Sequence, residues 1–153
     1  MEKNSRYADN ENRVGFYPRE FYVFCNFSSF AVEWKGVLYM TSEHAYHSEK
    51  FEDEEMKKMI RNTRSAHDAL QFAKANKDRW RKDWHDVKVG IMEQIVRVKL
   101  SQHPYIMKKL KESGNKEIVE DSWRDDFWGW GENHDGQNMM GKIWMKIRKE
   151  IYE

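Results

Sequence analysis

Three stretches of this chain carry residues able to do chemistry, and the densest is Ser122 to Gly131, Ser-Trp-Arg-Asp-Asp-Phe-Trp-Gly-Trp-Gly. It holds three indoles, two adjacent carboxylates, an arginine and two glycines, and its apolar residues follow neither a helical nor a strand period. Carboxylates beside aromatic walls suit acid/base or charge-stabilising chemistry, because desolvation changes their hold on a proton. A hydrophobic loop that plugs the core, its Asp residues capping the next element, accounts for the same composition. The residue types alone leave both readings open.

The second stretch is Thr41 to Lys50, which contains Glu43, His44 and His47. Two histidines three apart on a helix can share a metal, but Glu-His-Ala-Tyr-His has neither zincin order and no third ligand stands nearby. They read as ordinary helix histidines. The third stretch, Asp135 to Lys142, opens a helix with glycines, amides and a lysine, and a helix start of that kind can hold an anion. Other chemistries lack their motifs. The chain has no Gly-x-Ser-x-Gly elbow, Gly-x-Gly-x-x-Gly or phosphate-binding Gly-x-x-x-x-Gly-Lys-Ser/Thr loop. Its one cysteine, Cys25, lies in an apolar run and reads as a small core residue.

These stretches need elements to position them. Residues 1–14 read as a flexible or loosely docked lead-in. Phe21 to Phe27 is aromatic and β-branched, as a strand requires. Phe30–Trp34 and Val37–Met40 flank Lys35-Gly36 as a hairpin. Thr41-Ser42 then caps a helix with Glu43 in its first turn, where the helix dipole favours an anion. Further helices are expected over Glu54 to Arg61, after Ser65, and over Asp86 to Ser101 with Val87, Ile91, Ile95 and Val98 inward. Another follows from Pro104 to Glu112 and stops at Ser113-Gly114-Asn115. Glu117–Glu120 fits a strand or a helical turn. A last helix places Met140, Ile143, Ile147 and Ile151 on one face. Arg79 to Asp86 reads as a solvated face. The expected fold class is α+β, one mostly helical domain with a small sheet near its N-terminal end.

With 153 residues, the chain is long enough for one domain with a real core. Twenty-seven basic residues balance 26 acidic ones, which argues against binding nucleic acid through bulk charge. Aromatics make up 14% of the residues, so much of the core volume is ring. A single cysteine cannot form an internal disulfide, and no signal peptide or membrane span is visible, so the expected location is cytoplasmic.

Taken together, three stretches resemble the NADAR, or YbiA-like, family. They are Phe24-Cys-Asn-Phe with Tyr39-Met-Thr-Ser-Glu43-His-Ala-Tyr46; Asp83-Trp84 with Val87, Met92 and Lys99; and Asp125-Asp-Phe-Trp128-Gly-Trp-Gly131 with Gly136-Gln-Asn138-Met-Met-Gly141 and Arg148. The resemblance runs from about Tyr22 to the C-terminus, and implies a YbiA-like domain over 15–153. It implies hydrolysis of N-glycosidic bonds, in riboflavin-biosynthesis intermediates or in ADP-ribosylated substrates, without metal or other cofactor. Carried over by position, Glu43, Trp84, Asp125 and Trp128 become the catalytic residues. Asn26, Gly129, Asn138 and Gly141 become substrate-binding residues, and Lys50 and Lys142 phosphate contacts. Two positions depart from the family pattern: Ser28-Ser29-Phe30 stands where a proline-containing segment is common, and Trp130 where a smaller aliphatic is usual.

Cleaving a ribosyl C–N bond passes through an oxocarbenium-like state. The resemblance therefore assigns Glu43 to stabilise that charge or activate water, and Asp125 to protonate the leaving nitrogen from a desolvated site beside Trp128. Either carboxylate can take either role. Trp84 and Trp128 are expected to stack on base or sugar, and amides near Asn138 to bind phosphate. The expected partner is a small phosphoribosyl or ADP-ribosyl molecule, with nucleic acid entering only as an ADP-ribosylated substrate. The phosphoribosyl class is favoured because the sequence is little more than the minimal domain. A non-catalytic nucleotide-binding module and a purely structural helical protein are the competing readings.

Overall fold

The computed structural model describes residues 10–16 and 21–153. The chain divides into two compact units, residues 26–103 and residues 1–25 with 104–153. Residues 1–9 of the lead-in expected over 1–14 lie outside the described residues.

The unit of residues 26–103 begins with the hairpin. Strands β1 (Val32–Trp34) and β2 (Val37–Tyr39) pair antiparallel, Val32 opposite Tyr39. Lys35 and Gly36 both have positive φ, 51° and 79°, as a two-residue turn of the type I′ kind demands. Helix α1 (Ser42–Ser48) follows, its N-cap Thr41 accepting from the His44 amide. All seven of its residues are buried although most are polar. The reason is its surroundings: α1 packs on β1, β2, α2 (Glu54–Arg61), α3 (Ala66–Ala75) and α4 (Trp84–Gln102). Asp53 and Ser65 cap α2 and α3 through their side chains. Phe51, Met56, Ile60, Ala69 and Ala73 form the apolar floor, with Phe72 and Trp80 against it.

Helix α4 departs from the face expected for it. Its buried residues are Trp84, Met92, Ile95, Val96, Lys99 and Leu100, whereas Val87, Ile91 and Val98 are only half-buried. The helix starts at Trp84, and its apolar stripe admits a lysine. Lys99 is fully buried, and its ammonium donates to Ser28 Oγ at 3.0 Å.

In the other unit, strand β3 (Arg13–Phe16) pairs in parallel with β4 (Glu117–Glu120), Val14 opposite Ile118. Glu117–Glu120 is thus a strand, and its partner comes partly from residues read as lead-in. The segment expected to be a strand from Phe21 is instead a 3-10 turn over Tyr22–Phe24. The Phe24 amide donates to Phe21 O and the Cys25 amide to Tyr22 O. β-Propensity reports fit to a pleated surface, and here the segment curls to bury Val23 and Phe24 instead. Helices α5 (Pro104–Glu112) and α6 (Met139–Tyr152) complete the unit. Its buried apolar residues include Phe16, Phe24, Ile106, Leu110, Ile118, Met140, Ile143, Ile147 and Trp144, whose ring lies 4.7 Å from that of Phe24 and whose indole N–H donates to Phe24 O. Ile151, expected on the inner face of α6, is exposed.

The fold is α+β and mostly helical, as expected, and among the described residues its strands form two two-stranded sheets. Among the described residues no helix is long and apolar enough to cross a membrane.

Candidate active-site residues

Of the residues named from sequence, Asn26, Glu43, Lys50 and Trp84 belong to the unit of residues 26–103. Glu43 occupies the first turn of α1, and its amide donates to Asn26 O at 3.1 Å. Its side chain is only 10% exposed, so the carboxylate is held away from bulk water. His47 lies one turn along, with Nε2 2.6 Å from Glu43 Oε1. Oε2 of Glu43 makes no hydrogen bond among the described residues. Asn26 supports the start of this helix: its Oδ1 accepts from Ser42 Oγ at 3.0 Å and its Nδ2 lies on Met92 Sδ.

His44 is engaged elsewhere. Its Nδ1 faces Thr41 Oγ1 at 2.8 Å and its Nε2 faces Thr63 O at 3.4 Å. Burial pushes its pKa below the usual histidine value, which suits a neutral ring that accepts from the Thr41 hydroxyl and donates to Thr63. The two histidines therefore serve different partners.

Lys50 is buried, and its ammonium lies over three rings: Trp80 at 4.1 Å, Tyr46 at 5.3 Å and Trp84 at 5.6 Å. Desolvation is the main cause of a pKa lowered to about 8; Glu43 opposes it, while Lys74, Lys88 and Lys77 reinforce it. Trp84, expected to stack on a substrate, is 2% exposed and forms a wall of this cage, its ring tilted 5.0 Å from Tyr46. Trp80 also lines a cavity of about 520 Å³ with Glu52, Asp53, Arg79, Arg81, Lys82 and Asp83. The stretch read as a solvated face is thus concave. Its charges are largely matched: Arg79 reaches Asp53 at 2.6 Å, and Arg81 holds both oxygens of Asp83 at 2.6 and 3.0 Å.

Asp125, Trp128, Gly129, Asn138, Gly141 and Lys142 belong to the other unit. Asp125 Oδ1 accepts from the amides of Phe127 and Trp128 at 2.9 and 2.8 Å, closing a tight turn. Its Oδ2 makes no hydrogen bond among the described residues. Asp125 is half-buried, and the Trp128 ring lies edge-on to Phe127 at 4.9 Å.

The start of α6 is not the open anion cradle expected. The amides of Gln137, Asn138, Met139 and Met140 donate to the carbonyls of Asp126, Gly129, Phe127 and Trp128. The aromatic loop occupies the donors that a phosphate would need. Asn138, at φ 49°, sends its side chain to β4, where Oδ1 accepts from the Glu120 amide and Nδ2 donates to Ile118 O, both at 2.9 Å. Gly141 and Gly129 are glycines for want of room. A Cβ on Gly141 would strike Ile118 O and the Asn138 amide, and one on Gly129 would come 2.9 Å from the carbonyls of Asp125 and Glu120. Lys142 is exposed. Trp130 is no open wall either: its N–H donates to Asp121, with Arg13 at 5.0 Å and His134 stacked at 4.1 Å.

Sequence reading took His47 for an ordinary helix histidine and gave Tyr46 no role of its own. The available signals were the i, i+4 spacing of Glu43 with His47 and of Tyr46 with Lys50.

A family model described as the NADAR domain matches residues 15–152. An N-glycosidase of Nostoc punctiforme is 33% identical over 131 residues, covering 84% of each chain. The N-glycosidase YbiA of Escherichia coli is 30% identical over 128 residues, 84% of this chain and 80% of that one. A riboflavin biosynthesis protein of Vibrio vulnificus is 32% identical over 145 residues, 94% of this chain, which spans only 40% of that protein's length. The NMR structure of Escherichia coli YbiA superposes with a TM-score of 0.84 at 26% identity, covering 99% of this chain and 93% of that one.

Proposed function

We propose that this chain, which belongs to the NADAR family, is a hydrolase of the N-glycosidase type that cleaves the C–N bond between a phosphorylated ribosyl group and a nitrogen base. The observation that carries the proposal is Glu43: a buried carboxylate in a helix first turn, one oxygen held by His47 and the other unengaged among the described residues. A group so placed faces the positive charge that develops on the ribosyl ring and offers Oε2 to it, or to an attacking water. For Asp125 the proposed role is protonation of the leaving nitrogen; its free Oδ2 is the oxygen that carries the proton. As the C–N bond breaks, water's oxygen bonds to the anomeric carbon and its proton passes to Glu43 and on to solvent, from which Asp125 regains the proton it gave; the products are the free phosphorylated ribose and the amine. Trp128, Gly129, Asn138, Gly141 and Lys142 are proposed to shape the binding surface on their unit, and Asn26, Lys50 and Trp84 on theirs.

Within this class the riboflavin-precursor substrate is favoured, supported by the names of relatives in Vibrio vulnificus and Zea mays. A nearly balanced charge, 27 basic against 26 acidic residues, gives little pull toward a nucleic-acid backbone, which makes ADP-ribosylated guanine the second choice. A cytoplasmic location is part of the proposal, in keeping with a chain whose one cysteine, Cys25, is buried and can form no internal disulfide.

Product release from the phosphoribosylated pyrimidine intermediate and from ADP-ribosylated guanine in DNA, with chelator present, tests the reading. Release from the pyrimidine compound that falls by about 10²-fold or more in Glu43→Gln supports it, and preference for the DNA substrate moves the assignment to the second class. Binding without release from either leaves a nucleotide-binding module and overturns the enzyme.

A further inference from the structure

We infer that His47 is the positioning residue of the reaction, acting on substrate only through Glu43; the inference rests on the N-glycosidase reading above. The geometry argues it from both ring nitrogens. An ionised carboxylate only accepts, so the proton in the 2.6 Å contact sits on Nε2 and is donated to Glu43 Oε1. The other nitrogen, Nδ1, is buried and has no hydrogen-bond partner among the described residues. A buried polar atom left unsatisfied is unfavourable, and folded proteins retain few of them. The ring is 2% exposed and edge-on to Tyr46 at 5.2 Å, a place that an aliphatic side chain fills without that defect. What an aliphatic side chain cannot do is hold Glu43.

The consequence for the carboxylate is specific. The spacing of four residues sets the imidazole one turn along α1 from Glu43, so both groups ride on the same rigid element. With Oε1 fixed, the plane of the carboxylate is fixed, and Oε2 is presented in one direction rather than swept through a rotamer fan. His47 touches no reacting atom in this scheme.

Steady-state kinetics on the phosphoribosylated pyrimidine intermediate test it, with thermal melts of each variant to verify folding. His47→Leu is expected to lower kcat about 10- to 100-fold, as loss of an orienting partner does elsewhere, with KM within about threefold of wild type. His47→Gln places an amide N–H near the position of Nε2 and restores most of the rate. His47→Asn retains polarity but is too short to reach Oε1, and loses as much as His47→Leu; it serves as the second variant if leucine impairs folding. In a Glu43→Gln background, His47→Leu has no additional effect, because the only route by which it acts is gone. A purely structural histidine gives losses that multiply in the double variant, and that result overturns the inference. So does wild-type kcat in both His47→Leu and His47→Asn beside an inactive Glu43→Gln. No turnover by wild type of either the pyrimidine compound or ADP-ribosylated guanine overturns the N-glycosidase reading and this inference with it, and full activity in Glu43→Gln overturns the inference alone.

Discussion

The Lys50 ammonium lies 4.1 Å from the centre of the Trp80 ring, inside a cage closed by Tyr46 and Trp84. Burial holds its folded pKa near 8, below the unfolded value near 10.5. Between these pH values the unfolded chain binds more protons than the folded one, so this group makes stability rise with pH across that window. Below about pH 8 the whole cost of burying the charge is present. Lys50→Met is therefore expected to be more stable than wild type at pH 7, on the order of 2–3 kcal/mol. The gap should close by about pH 10.5. Urea unfolding of both proteins at the two pH values checks this, and a gap independent of pH would refute it.

Glu43→Gln preserves shape and an oxygen able to accept from His47, but removes the negative charge. Turnover is expected to fall by about 10²- to 10⁴-fold with little change in melting temperature. Comparable loss of both activity and stability would make Glu43 a structural residue.

Asp125→Asn and Asp125→Ala separate two jobs of one side chain. Asparagine keeps an Oδ1 for the amides of Phe127 and Trp128 but has no carboxyl proton to give. It should retain the melting temperature and lose activity. Alanine also opens the turn and should lose a further 1–2 kcal/mol, roughly, of stability. Calorimetry beside the release assay distinguishes the outcomes.

Gly141→Ala and Gly90→Ala should move stability in opposite directions. A methyl at position 141 meets Ile118 O and the Asn138 side chain, which β4 already holds, and is expected to cost on the order of 3 kcal/mol. At Gly90, an exposed position within α4, nothing lies within 4 Å of the added carbon. Alanine there should stabilise by about 0.5–1 kcal/mol. Thermal denaturation of the pair checks both signs.

Local chemistry made much of the architecture legible before any coordinates. Thr41, Asp53 and Ser65 cap their helices through their own side chains, and Lys35-Gly36 turns because Gly tolerates positive φ. Glu43 could be placed in a helix first turn for the same reason. What sequence missed depends on distant partners. Phe21–Phe24 has strand composition, yet the strand beside β4 is β3. Lys99 is charged, yet Ser28, 71 positions away, lets it sink into the face of α4. The start of α6 resembles an anion site until the loop carbonyls that occupy its amides are known. Asn138 and Gly141 were legible as a motif, but their work as a brace for β4 was not. Trp130 looked like an aromatic wall because Arg13 and His134 could not be foreseen on it.

The bonds that tie residues 126–129 to the beginning of α6 run from main-chain amides to main-chain carbonyls, so they do not depend on the side chains at those positions. Exchanging Asp126, Phe127 or Trp128 leaves every one of those donors and acceptors in place. Such a loop can drift in sequence while its trace stays put. Changes at Asp126 and Phe127 should therefore leave the trace intact, whereas Gly129, Gly136 and Gly141, where the backbones meet, should accept no side chain.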